Sequence, residues 1–72
     1  MDQKEVSMIQ LNGKEEELEK PITLDKLVMQ QGYVITQIAV EKNGEIIPKS
    51  TYGEEVVRAG DVIEVVTFVG GG

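Results

Sequence analysis

Seventy-two residues leave room for one small domain, which buries only about 60% of its unfolded surface and draws roughly 3–5 kcal/mol from a single core. Seven Lys and Arg against thirteen Asp and Glu give a formal charge of −6, which argues against binding to phosphate backbones, and no apolar run approaches the roughly 20 residues of a membrane span. The absence of Cys and His excludes disulfides, thiolate or imidazole metal sites, Cys nucleophiles and His-based triads.

The polar start, Met1 to Glu5, has no apolar stretch behind it, so export is not indicated and a cytoplasmic protein without metal or cofactor of its own is expected. From Val6 to Leu11, Ile9 and Leu11 alternate with Met8 and Gln10, the period of a strand with one buried face. Asn12-Gly13 follows as a hairpin turn, because both residues tolerate positive φ. Lys14 to Lys20 carries Leu18 as its only large apolar residue and suits an outer strand, where charge discourages edge-to-edge pairing. Glu15-Glu16-Glu17 is expected to be a solvated edge rather than a metal site.

Pro21 breaks this pattern, and Thr23 is placed to cap a short helix, its hydroxyl accepting a first-turn amide while Asp25 complements the dipole. Leu24, Leu27 and Val28 form one apolar stripe, and Gly32 stands where a left-handed C-terminal cap belongs. About eight residues are too few for a helix to stand alone, so it must dock on a sheet. Gln37 to Lys42 predicts another strand, with Ile38 and Val40 on one side. Asn43-Gly44 turns it into Glu45-Ile46-Ile47, and Pro48 ends the return. Ser50 to Gly53 predicts a turn or short helical turn, with the Tyr52 ring against the sheet edge. Ala59-Gly60-Asp61 is a tight turn before the last strand, Val62 to Phe68. The order ββαββ-β makes an α+β fold, one helix across one face of a mixed sheet.

In that last strand Ile63 and Val65 share one face, while Val62, Glu64, Val66 and Phe68 share the other. Burying Glu64 without a partner is costly, so its face should be the solvated one, leaving Val66 and Phe68 in water. They are either ordinary exposed hydrophobes or a docking patch for a partner protein. Gly70-Gly71-Gly72 follows without a spacer. Three glycines are either a frayed tail or cloning remnant, or a segment that threads a narrow channel and presents its main-chain carboxylate to chemistry elsewhere.

Four stretches together resemble the thiamine-biosynthesis sulfur carriers, small ubiquitin-like β-grasp proteins ending in Gly-Gly. Met8 to Lys14 is similar to that family's opening strand and Asn-led turn, and Val40 to Pro48 to its central hairpin. Gly60 to Val66 is similar to its Gly-Asp-led final strand, and Phe68 to Gly72 to its tail. The first seven residues extend beyond the usual start, and Tyr52 stands where many members have Trp.

The resemblance implies a β-grasp domain over 1–69, with a five-stranded mixed sheet and one helix, followed by a glycine tail over 70–72. It also implies a carrier rather than an enzyme, a monomer when free. Gly72 would be adenylated by a partner enzyme using its own ATP and Mg²⁺. A persulfide, supplied by a cysteine desulfurase or by the activating enzyme, would convert it to a thiocarboxylate for a thiazole synthase. Gly70 and Gly71 would thread the active site, and Val66, Phe68 and Val69 would dock. No Gly-rich phosphate loop with a Lys is present, so nucleotide binding is not assigned to this chain. The small subunit of molybdopterin synthase, a protein-conjugating modifier and a regulatory β-grasp fragment remain alternatives.

Overall fold

The computed structural model describes residues 7–68. The expectations for positions 1–6, for Val69 and for Gly70, Gly71 and Gly72 lie outside these residues. Strands β1 (Ser7–Leu11), β2 (Lys14–Leu18), β4 (Ile38–Lys42), β5 (Glu45–Ile47) and β7 (Val62–Thr67) form one sheet in the order β2-β1-β7-β4-β5. The first and last strands run parallel in its centre, and the other neighbours are antiparallel. A second, two-stranded ladder joins β3 (Ile22–Thr23) to β6 (Val56–Val57).

The turns follow from local sequence. Asn12 and Gly13 adopt φ of 52° and 82°, and Asn43 and Gly44 adopt 53° and 86°, the doubly positive pair that matches strand twist in a two-residue hairpin. The charged β2 is an edge strand, as the sequence predicts, and β5 is the other edge, ending before Pro48. The helix α1 (Leu24–Gln30) buries Leu24, Leu27 and Val28 against one face of the sheet. Ile9, Leu11, Ile38, Val40, Ile63 and Val65 rise from that face to meet it. Gly32, at a φ of 90°, closes the helix end, its N–H donating to the Met29 carbonyl at 3.1 Å.

Two local expectations need correction and one is extended. Thr23 occupies the N-cap position, but its hydroxyl makes no bond to a first-turn amide; it donates to the Asp25 carboxylate, which also accepts Lys26 N–H at 2.8 Å. The Thr23 hydrogen bond, with help from Lys26, holds the Asp25 carboxyl below the usual aspartate range. Tyr52 goes deeper than expected: it is buried within the core, and that burial pushes the phenol's pKa up. The order ββαββ-β also omits the β3–β6 ladder. Each of its strands is two residues long, too short to show a period, and Leu24 N–H donates to the Glu55 carbonyl at 2.8 Å beside it.

Candidate functional site

One sheet face carries the helix and, among the described residues, the other is open. Strand alternation sends Ile63 and Val65 to the core and leaves Val62, Glu64 and Val66 outside, as the sequence predicts. Val66 is 59% exposed and Phe68, just beyond the strand, 50%. Register brings Ala39 opposite Val66 and Gln10 beside Val62, so a continuous surface crosses three strands. Ile46, 73% exposed, and Met8 extend it and were absent from the sequence-based set. For Ile46 a signal existed: Ile46 and Ile47 are consecutive, so one of them must face out. For Met8 the alternation was visible, but its nearness to β7 depends on the sheet order.

Glutamates interrupt this surface. Glu41 and Glu64 stand directly opposite each other on β4 and β7, an arrangement that is destabilising between like charges. Neither has a Lys or Arg within salt-bridge distance among the described residues. Lys42, on the strand's other face, is engaged with Glu55 at 2.7 Å and Asp61 at 3.9 Å. At the border of the open face the Lys49 ammonium lies 5.6 Å from the centre of the Phe68 ring, within cation–π range.

The two turn asparagines hold β7 in place. Asn43 Oδ1 accepts Val62 N–H at 2.9 Å, and its Nδ2 donates to Asp61 Oδ1 at 3.0 Å. Asn12 Oδ1 accepts Val65 N–H at 2.7 Å. Phe68 N–H donates to the Gln37 carbonyl at 2.7 Å, so β7 stays anchored to the end of the described chain. Val66 and Phe68 therefore share the surface assigned to them, while Val69, Gly70, Gly71 and Gly72 lie outside the described residues. No cluster of metal ligands occurs among the described residues, Glu15 to Glu17 included, and no helix is long and apolar enough to cross a membrane.

A central parallel pair formed by the first and last strands, a hairpin on each side and a single helix across one face define a ubiquitin-like β-grasp protein. Solved structures agree. A crystal structure described as thiamine biosynthesis protein (ThiS) from Geobacter metallireducens superposes with a TM-score of 0.76 at 25% identity, over 90% of this chain and 99% of that one. A solution structure of a Geobacter metallireducens thiamine biosynthesis protein gives a TM-score of 0.75.

The ThiS family model matches residues 7–72, and the chain belongs to the ThiS family. It is 42% identical to the sulfur carrier protein ThiS of Bacillus subtilis over 66 residues, 90% of this chain and all of that protein. It is also 40% identical over 62 residues to a thiazole synthase of Paramagnetospirillum magneticum and 42% identical over 64 residues to one of Magnetococcus marinus. The chain spans only about a fifth of those two relatives, 19% and 20% of their lengths.

Proposed function

We infer that the protein is a sulfur carrier for thiazole formation in thiamine biosynthesis, acting through the carboxylate of Gly72. The observation that carries this is the course of β7. It is the sheet's central strand, anchored as far as Phe68, and only Val69, Gly70 and Gly71 separate it from Gly72. A carboxylate at Gly72, in this reading, could be aimed by docking the scaffold on which β7 is anchored, and glycines let the backbone pass between close walls. The Bacillus subtilis relative, a sulfur carrier matched along its whole length, supports the same reading.

The chemistry needs no side chain of this protein. A carboxylate resists nucleophiles because its charge repels them and oxide is a poor leaving group. A partner adenylating enzyme, using its own ATP and Mg²⁺, joins the Gly72 carboxylate to AMP and releases pyrophosphate. A persulfide, drawn from a cysteine desulfurase or the activating enzyme, displaces AMP through its terminal sulfur. A thiol then cleaves the resulting S–S bond, leaving a thiocarboxylate on Gly72 and a disulfide on the donor side. The soft terminal sulfur passes to a thiazole synthase, a partner supported by the two thiazole synthases that contain a segment similar to this chain. In this scheme Gly70 and Gly71 thread the active site, and Val66, Phe68 and Val69 make docking contacts.

Intact-mass spectrometry tests the scheme. After incubation with the adenylating enzyme, ATP and a sulfur donor, the chain should exchange one oxygen for one sulfur. Deleting Gly71 and Gly72 should abolish that exchange and leave the thermal melt unchanged. Lysine-linked adducts on other proteins would instead mark a conjugating modifier, and exchange persisting in the truncated chain would remove the tail from the mechanism.

A further inference from the structure

Strand β7 is supported unequally on its two flanks. Along one, β4 accompanies it to the Ile38–Thr67 pair. Along the other, β1 stays only as far as Leu11, opposite Ile63, and then turns away. The next amide on that flank, Val65 N–H, is received by Asn12 Oδ1 at 2.7 Å, so a side-chain amide stands in for the strand carbonyl that the turn removes. Because the oxygen branch faces an N–H donor, the nitrogen branch points the other way, 3.1 Å from Tyr33 Oη. Nδ2 can only donate, so the tyrosine oxygen accepts. Tyr33 in turn packs against the core, and Asn12 N–H donates to the Ile63 carbonyl at 2.9 Å.

A hairpin asks only for positive φ at position 12, which glycine supplies without a side chain. The Asn12 side chain thus does something the turn does not require. It fixes β7 at residue 65, three residues before Phe68 and seven before Gly72.

We propose that Asn12 is a positioning residue for the terminal segment, oriented by Tyr33 and acting by clamping Val65 so that β7 delivers the tail in one direction. The proposal rests on the carrier reading above. Without the clamp, the second half of β7 is held along the β4 flank alone, and docking must order a segment that is ordered already in the wild type. The cost falls on recognition by the adenylating enzyme, not on the bond changes at Gly72, so KM rises while kcat holds.

Three variants separate this from a turn effect. Asn12→Gly keeps the backbone conformation and removes the acceptor. Asn12→Asp keeps an acceptor for Val65 N–H, and the Tyr33 hydroxyl can turn to donate to its second oxygen. Tyr33→Phe removes only the orienting group and serves also if Asn12→Gly fails to fold. In the free protein, amide exchange at Val65 should accelerate in Asn12→Gly and, less strongly, in Tyr33→Phe. In sulfuration assays with the adenylating enzyme, ATP and a sulfur donor, Asn12→Gly should raise KM for the carrier roughly two- to tenfold, the span of one neutral hydrogen bond, with kcat unchanged. Asn12→Asp should restore the wild-type KM. Unaltered Val65 exchange, or accelerated exchange with an unaltered KM, overturns the proposal while a sulfurated wild type leaves the carrier function standing. A wild-type chain that gains no sulfur overturns the carrier function and the proposal together.

Discussion

Asn43 is tied at both ends of its side-chain amide, to Val62 N–H and to Asp61, while its own N–H donates to the Val62 carbonyl at 2.8 Å. Asn43→Ala removes both side-chain bonds and places a Cβ-bearing residue without local compensation at a φ of 53°. It should cost about 1–2 kcal/mol in urea unfolding, mainly the strain of the left-handed conformation because water can reach the freed Val62 N–H, and Asn43→Gly should cost less because the strain disappears. A second residue-scale expectation concerns pH. The Thr23 hydroxyl lowers the Asp25 pKa in the folded state, so the stability it contributes is complete above the ordinary aspartate value of about 3.9 and is lost as pH falls through the lowered value. Thr23→Val should raise the Asp25 pKa in an NMR titration and flatten the stability profile in that acid window; an unmoved titration would dissociate Thr23 from the shift. The asparagines were legible as turn residues because positive φ is a local property. Their hold on β7 was not, since Asn12 and Val65 are 53 positions apart and meet only through the sheet order.

The helix shows what a short element depends on. Seven residues cannot sustain a helix in water, and Leu24, Leu27 and Val28 are all fully buried against the sheet. Leu27→Ala should cost about 2–5 kcal/mol, comparable with the roughly 3–5 kcal/mol that a core of this size supplies. Urea unfolding should then begin near zero denaturant, with far-UV circular dichroism already reduced in buffer; an unchanged midpoint would show that the stripe contributes little to the core. This stripe, the two hairpins and the alternation of β1 and β7 were legible because their periods fit within one element. Thr23 was legible as a boundary but not in its bonding, because Asp25 two positions on offers its hydroxyl a charged acceptor. The depth of Tyr52 was hidden for a different reason. It follows a single 3-10 turn, Lys49–Thr51, which carries no repeating pattern to mark an inward face.

Across the whole molecule, the sheet order sets what the outside offers. Placing β7 at the centre puts Val66 and Phe68 amid Ala39, Ile46 and the opposed Glu41 and Glu64, a face apolar in part and without neutralising cations on its strands. Phe68→Asp adds a carboxylate to this face and removes the ring under the Lys49 ammonium. Binding to the adenylating partner proposed above should weaken by about 1–3 kcal/mol in a titration, while thermal melting holds because Phe68 is half exposed. Undiminished binding would place the docking surface elsewhere. Which residues of β7 face outward was legible from alternation and the cost of burying Glu64. Which other strands join them was not, because neighbours in a mixed sheet are chosen by long-range pairing.

The side-chain amides that steady the last strand also bear on how the protein ages. In an Asn-Gly pair the glycine nitrogen attacks the asparagine carbonyl carbon, expels ammonia and closes a succinimide that reopens to aspartate or isoaspartate. Asn12-Gly13 and Asn43-Gly44 both have this sequence, yet in each the amide is hydrogen-bonded through oxygen and nitrogen, and expelling the nitrogen as ammonia requires at least its own bond to break. Deamidation at these two sites therefore draws on the population whose side-chain nitrogen has been released, so the isoaspartate that accumulates in storage keeps a chemical record of how often each asparagine has let go of its partner.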